Sequence, residues 1–265
     1  MKQAKTTEQI PLSLILLLIA IVLLFASPRP AAAQGGSLLI WPVDPVIESD
    51  ARATALWLEN PGKAPITLQV RIYAWAQDGG KNAYAPQEKI FGTPPIVTVA
   101  PGAKQLIRLT RTAPTPARTE QAFRVVVDEI PTSSPATESG AAVSFRMRYS
   151  LPLFVYGDGL TLKGTAKAKA VTPSAKLAWR LTSIAEKQFL EVRNMGNVHA
   201  RLTDVALVQR STSETDNSIL AKGLLGYVLP GATMRWPLPA GTAAGAELVA
   251  AVNGTARTRL ERMVD

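Results

Sequence analysis

The chain has 265 residues, with 29 Lys and Arg against 20 Asp and Glu, a single His and no Cys. That inventory excludes a cysteine nucleophile, a disulfide framework and a histidine-cluster metal site. The basic residues are scattered without a dense run, which argues against a nucleic-acid footprint.

Residues 1–33 read as an export signal. Lys2 and Lys5 precede an apolar run over 12–26, and Ala31-Ala32-Ala33 supplies a small-residue cleavage pattern. The run is short for a membrane span and is bracketed by Pro11, Pro28 and Pro30, so a retained anchor is the lesser alternative. Cleavage after Ala33 would leave 232 residues with 26 basic and 19 acidic side chains, a net charge of +7. That length suits one large domain or two of about 115 residues, each able to hold together without disulfides.

The mature chain reads almost wholly as strands. Residues 38–43 and 53–58 are short apolar runs, and Asn60-Pro61-Gly62-Lys63 is a turn. Ile66, Leu68, Val70, Ile72 and Ala74 alternate with Thr67, Gln69, Arg71, Tyr73 and Trp75, the pattern of a half-buried strand. Asp78-Gly79-Gly80, Thr93-Pro94-Pro95 and Pro101-Gly102 mark further turns, and 105–110 and 123–128 are two more strands. A Pro-, Ser- and Thr-rich loop spans 131–140. Short strands with turn signals at this density predict an immunoglobulin-like sandwich.

The longest regular stretch is 143–155. Val143, Phe145, Met147, Tyr149, Leu151, Leu153 and Val155 recur with a period of two, so they leave one face of an extended strand. Ser144, Arg146, Arg148, Ser150 and Pro152 take the other face, and Pro152 favours a sheet edge or a strand end. An apolar strand of this length is either the core strand of a large sandwich or a strand presented to another protein.

Gly157-Asp158-Gly159 closes that strand, and the small, basic segment up to Pro173 is the expected domain boundary. Lys163, Lys167, Lys169 and Lys176 in this region read as solvated charge. The second half then echoes the first. Glu59-Asn60-Pro61-Gly62 returns as Arg193-Asn194-Met195-Gly196 after 134 residues, and Pro101-Gly102-Ala103 returns as Pro230-Gly231-Ala232 after 129. Two sandwiches in tandem account for both intervals. Asn253-Gly254 adds a tight hairpin turn.

Catalytic chemistry is not supported. His199 begins a strand after a turn and reads as structural. Asp128 and Glu129 are adjacent, so on a strand they face opposite ways and cannot act as a carboxylate pair. Glu214 and Asp216 sit in a polar loop that reads as solvated, and no phosphate-binding glycine motif occurs. No enzyme activity, cofactor, metal or small-molecule substrate is expected.

Thr93-Pro94-Pro95, Pro101-Gly102-Ala103-Lys104 with Arg108-Leu109, Asp128-Glu129-Ile130-Pro131 and Leu153-Phe154-Val155-Tyr156 occur in an order and spacing that resemble the PapD-like periplasmic chaperones of the chaperone–usher pilus pathway. Weaker similarity continues through Gly226-Tyr227-Val228-Leu229. Leu39-Ile40-Trp41-Pro42, Ala55-Leu56-Trp57-Leu58 and Arg148-Tyr149-Ser150-Leu151-Pro152-Leu153 resemble the archaic branch, which builds spore-coat-U-type pili. The resemblance implies an all-β chain of two tandem immunoglobulin-like β-sandwich domains arranged as a boomerang: a signal peptide over 1–33, an N-terminal domain over 34–157 and a C-terminal domain over 158–265. It implies a periplasmic protein that lays its G strand into incomplete immunoglobulin-like pilus subunits, a form of β-augmentation, and works with an outer-membrane usher. It implies neither nucleic acid nor a small-molecule substrate.

By the family's register the donor residues are Val143, Phe145 and Met147, with Ala141 and Tyr149 at the ends of the set. The classical family holds the subunit's terminal carboxylate with an Arg in the first strand and a Lys late in the G strand. Those positions are Asp44 and Pro152 here, so Arg124 and Arg148 are the candidate anchors. Arg108 and Glu120 match a family pair that forms an internal salt bridge. The alternative function is a secreted two-domain immunoglobulin-like adhesin or surface structural protein.

Overall fold

The computed structural model describes residues 38–131, 146–160, 175–208, 218–239 and 247–263. In chain order the strands are β1 (Leu39–Trp41), β2 (Val46–Ile47), β3 (Ala53–Glu59), β4 (Ile66–Asp78), β5 (Lys81–Ala85), β6 (Ile90–Thr93), β7 (Ile96–Val99), β8 (Lys104–Arg111), β9 (Glu120–Ile130) and β10 (Arg148–Tyr156). They continue as β11 (Leu177–Ile184), β12 (Lys187–Asn194), β13 (Ala200–Val208), β14 (Ser218–Val228), β15 (Thr233–Pro237), β16 (Glu247–Val252), β17 (Thr258–Arg259) and β18 (Glu261–Arg262).

Period-two alternation makes each strand one-sided, and the sheets form where those sides meet. A four-stranded sheet β1-β3-β8-β6 faces a six-stranded sheet β2-β10-β9-β4-β5, with β7 also paired to β4. Leu56 and Leu58 of β3 and Ile107 and Leu109 of β8 pack in one buried cluster with Leu68 and Val70 of β4, Val125 and Val127 of β9 and Leu151, Leu153 and Val155 of β10. Each such side chain contributes roughly 1.5–3 kcal/mol on burial. The later strands form sheets β15-β12-β11-β18 and β14-β13-β16-β17 around Trp179, Leu190, Val192, Leu202, Leu207 and Leu248.

The sequence echoes have a physical cause. Asn60 is fully buried; its amide donates to the carbonyls of Ala64 (2.8 Å) and Val99 (2.9 Å), and its Oδ1 accepts from Gly62 N–H at 3.0 Å. Its backbone is bonded to Gly102 and Ala103. Asn194, also fully buried, donates to Val198 (2.7 Å) and Val228 (3.0 Å), accepts from Gly196 N–H at 2.9 Å, and is bonded through its backbone to Gly231 and Ala232. The two repeated motifs are thus one device used twice, a buried amide joining two turns. The Asn253-Gly254 turn forms, with both residues at positive φ, 51° and 80°, and Thr255 N–H donating to Val252 O at 3.0 Å, but the flanking strands pair only at Val249–Arg259 and Ala250–Thr258, so the connection is longer than the tight hairpin expected.

The strand expected over 143–155 takes a shorter form where it is described. β10 begins at Arg148, Met147 precedes it, and Ala141, Val143 and Phe145 lie outside the described residues. β2 registers with β10 only at Phe154 and Val155. Pro152 therefore falls where β10 has no second neighbour among the described residues, which suits its missing N–H.

The two sets of sheets meet through a third cluster. Trp75, Phe154, Tyr156 and Leu160 pack with Val198 and Leu229, all buried. The β4–β5 hairpin tip also reaches across. Arg235 N–H donates to Gly80 O at 3.2 Å and its side chain to Gly79 O at 3.1 Å. A Cβ at Gly80, where φ is +82°, would stand 2.8 Å from the Arg235 Cγ, so both backbone and space require glycine.

Candidate functional site

Alternation on β9 buries Phe123, Val125 and Val127 and turns Glu120, Ala122, Arg124, Val126 and Asp128 to the outer face of the six-stranded sheet. The ladders place Arg71 beside Val126, Tyr73 beside Arg124, Ser150 beside Val126 and Arg148 beside Asp128. Three arginines on three adjacent strands therefore share one face.

At the open end of this face Asp128 is held by two of them. Arg71 donates to its Oδ2 at 2.5 Å and the Arg148 Nε donates to its Oδ1. Burial opposes the Asp128 charge, but the hydrogen bonds from Arg148 and Arg71 outweigh it and keep the carboxyl below its ordinary range. Arg148 remains 68% exposed.

Arg124 is placed differently. Its guanidinium carbon lies 4.0 Å from the Trp75 ring centroid and 5.7 Å from that of Tyr227. Its buried Nε–H has no hydrogen-bond partner among the described residues. Arg124 and Arg148, the two predicted anchors, line the same cavity of about 300 Å³, together with Arg71, Tyr73, Tyr84 and Ser150.

The other end of the face is covered by the second sandwich. The His199 ring stacks on Phe154 with centroids 3.5 Å apart and planes 5° apart, and Trp75 meets Tyr227 edge-on at 5.6 Å. Glu120, whose side chain is fully buried, accepts from the His199 backbone N–H at 3.1 Å and contacts its Nδ1 at 2.8 Å. Gln77 bridges to β14 and the residue after it, donating to Tyr227 O and accepting from Leu229 N–H, both at 2.8 Å. His199 thus has a structural place, as the sequence suggested.

The expected Arg108–Glu120 salt bridge is corrected. Arg108 is exposed on β8, in the opposite sheet, while Glu120 on β9 turns toward the second sandwich and takes His199 as its partner. Asp44 pairs with Arg201 of the second sandwich at 3.9 Å. Pro152 is buried on β10 across from Arg124. Neither carries positive charge into the face. Among the described residues no cluster of His, Asp and Glu is placed to hold a metal ion.

Of the expected donor residues, Tyr149 is half-buried against the first core, and Met147 is 44% exposed with its carbonyl accepting from Glu129 N–H. The apolar face of β10 therefore divides: Leu151, Leu153 and Val155 belong to its own core, and Met147 stands outside it. Sequence reasoning passed over Trp75, Phe154 and Tyr227. The signal was present in Phe154 and Tyr156, large aromatics on the face of β10 assigned to polar residues, which indicates a second packing surface.

Comparison with known proteins agrees with this geometry. Residues 43–161 match the family model described as pili and flagellar-assembly chaperone, PapD N-terminal domain. No curated protein sequence matches the chain. Among solved structures, the CsuC–CsuE chaperone–tip adhesion subunit pre-assembly complex from archaic chaperone–usher Csu pili of Acinetobacter baumannii provides a chain 31% identical, with a TM-score of 0.69, covering 86% of this chain and 100% of that one. The Salmonella enterica SafA pilin complex with the SafB chaperone (19% identity, TM-score 0.56, 86% and 97% coverage) and the Pseudomonas aeruginosa CupB2 chaperone (18%, 0.53, 83% and 97%) share the fold. With its strand order, its paired sandwiches and its identity to the Acinetobacter chaperone, this chain belongs to the PapD-like family of pilus chaperones, on the archaic chaperone–usher branch.

Proposed function

We propose that the protein is a periplasmic chaperone that binds incomplete pilus subunits by donor-strand complementation and delivers them to an outer-membrane usher. The observation that carries this reading is the division of the β10 face. Its alternation starts inside the core at Val155, Leu153 and Leu151 and emerges at Met147, on a strand whose far edge has no second neighbour there among the described residues. Met147, Phe145 and Val143, with Ala141 and Tyr149 at the ends, are the side chains that would fill a subunit's missing core. The free backbone edge would pair with its groove. The subunit's terminal carboxylate would be held by Arg124, supported by Arg148. The solved Acinetobacter complex of chaperone and tip adhesion subunit supports the same assignment. The accompanying organisation is a cleaved signal over 1–33, a donor domain over 34–157 and a second domain over 158–265. The folding energy of the subunit drives the exchange, so no cofactor or nucleotide enters.

Phe145→Asp and Met147→Asp are expected to abolish co-purification of a co-expressed cognate subunit while the chaperone stays folded, because each would bury an unpaired carboxylate. Undiminished recovery with both variants rejects donor-strand binding. Mass determination of the exported protein is expected to give a start near Gln34.

A further inference from the structure

Arg124 belongs to the first sandwich, yet part of what holds it belongs to the second. Trp75 of β4 lies against its guanidinium at 4.0 Å, and Tyr227 of β14 lies 5.7 Å away on the same cation. Tyr227 also packs edge-on against Trp75, so the two rings fix each other. Tyr227 is in turn tied to β4 through its carbonyl, which accepts from Gln77 Nε2 at 2.8 Å. Nearby carboxylates do not compete for the cation. Asp128 is occupied by Arg71 and Arg148, and Asp44 by Arg201.

A guanidinium stacked on an aromatic face is held through its flat side, which leaves its N–H edge able to take a planar anion in two parallel hydrogen bonds. An unsupported arginine on a strand would have to lose its rotamer freedom when the anion arrives. We propose that Tyr227, acting with Trp75, positions Arg124 for carboxylate binding, so that the carboxylate site is complete only while the second sandwich is docked. This rests on the reading of Arg124 as the subunit-carboxylate anchor. It assigns the second sandwich a part in ligand recognition, and by linkage carboxylate binding must strengthen docking of the sandwiches by the same factor that docking strengthens binding.

The test uses the mature full chain and a synthetic alternating Thr-Val peptide, made with a free C-terminal carboxylate and as the C-terminal amide. Titration calorimetry gives the acid-to-amide affinity ratio for each variant. The wild type is expected to favour the acid by roughly tenfold, the worth of a charge-assisted hydrogen bond. Tyr227→Phe should keep that ratio, because the ring remains. Tyr227→Leu should lower it about fivefold, while the amide binds as before. Tyr227→Met is read in the same way should the leucine variant not fold. A wild-type ratio in the folded Tyr227→Leu or Tyr227→Met variant overturns the positioning role and leaves the anchor reading standing. A ratio near unity in the wild type, or a full ratio in Arg124→Ala, overturns the anchor reading and this inference with it.

Discussion

Asn60 and Asn194 occupy matching places in the two sandwiches and make the same bonds, and both halves hold a largely buried carboxylate between two arginines, yet Arg124 of the first half stands apart from those pairs. In the second sandwich Glu191, with a side chain only 4% exposed, accepts from Arg180 at 2.7 Å and from Arg235 at 2.5 Å. Burial opposes the Glu191 charge, and the bonds from Arg235 and Arg180 overcome it, holding the carboxyl below its ordinary range. In the first sandwich Asp128 answers Arg71 and Arg148 similarly, but Arg124 rests on aromatic rings. An arginine paired with a largely buried carboxylate has its charge matched within the fold. Arg124, held through its ring-facing side, meets no carboxylate among the described residues, so its charge is left to be matched by a ligand.

The sharpest way to break this contrast is Arg124→Ala. Leaving a subunit carboxylate shielded and unpaired should cost about 3–5 kcal/mol, a loss of roughly a hundred- to several-thousandfold in subunit affinity. Arg71→Ala should cost about 0–1 kcal/mol, as expected for an arginine already paired at the surface, with Arg148→Ala between them. Equal behaviour of Arg124→Ala and wild type in subunit capture would remove the distinction.

Asn60→Ala and Asn194→Ala test the shared part of the comparison. Each strips buried carbonyls of a donor, so each should lower the stability of its own sandwich by about 2–4 kcal/mol in urea unfolding. Clearly unequal losses would show that the repeated motif is not a repeated device.

Glu120→Ala acts between the halves. It leaves the His199 N–H without the buried acceptor it has in the wild type, which should cost about 1–3 kcal/mol. Calorimetry should then resolve separate unfolding steps for the two sandwiches, where the wild type shows a more concerted one.

The smallest effect concerns pH. Asp128 has a lowered folded-state pKa, so its contribution is present above the ordinary value of 3.8 and is lost as pH falls through the folded value. Wild type should therefore exceed Asp128→Asn in stability by about 1 kcal/mol or less near neutral pH, with the difference closing in acid. A gap that widens on acidification contradicts the pairing.

Much of this was legible in the chain. The period-two runs became β3, β4, β8 and β9, because one-sided strands have to bury their apolar side and a sandwich is the arrangement that lets two sheets do so together. The asparagine and proline–glycine echoes located the second sandwich, since a buried amide that satisfies two turns tolerates few substitutes. The resemblance pointed to Arg124, but not to what holds it.

Composition and periodicity by themselves determined the all-β class, the two-sandwich plan and the apolar face of β10, because these depend on the order of side chains along a strand. Tertiary structure alone decided where that face leaves its own core, that Glu120 faces His199 instead of Arg108, and that Trp75 and Phe154 are buried although they lie on the outer face. Those outcomes depend on contacts between residues distant in the chain, such as Trp75 with Tyr227 and Phe154 with His199. A local pattern records only that a strand has an outer face; which element packs on that face is settled when the two sandwiches meet.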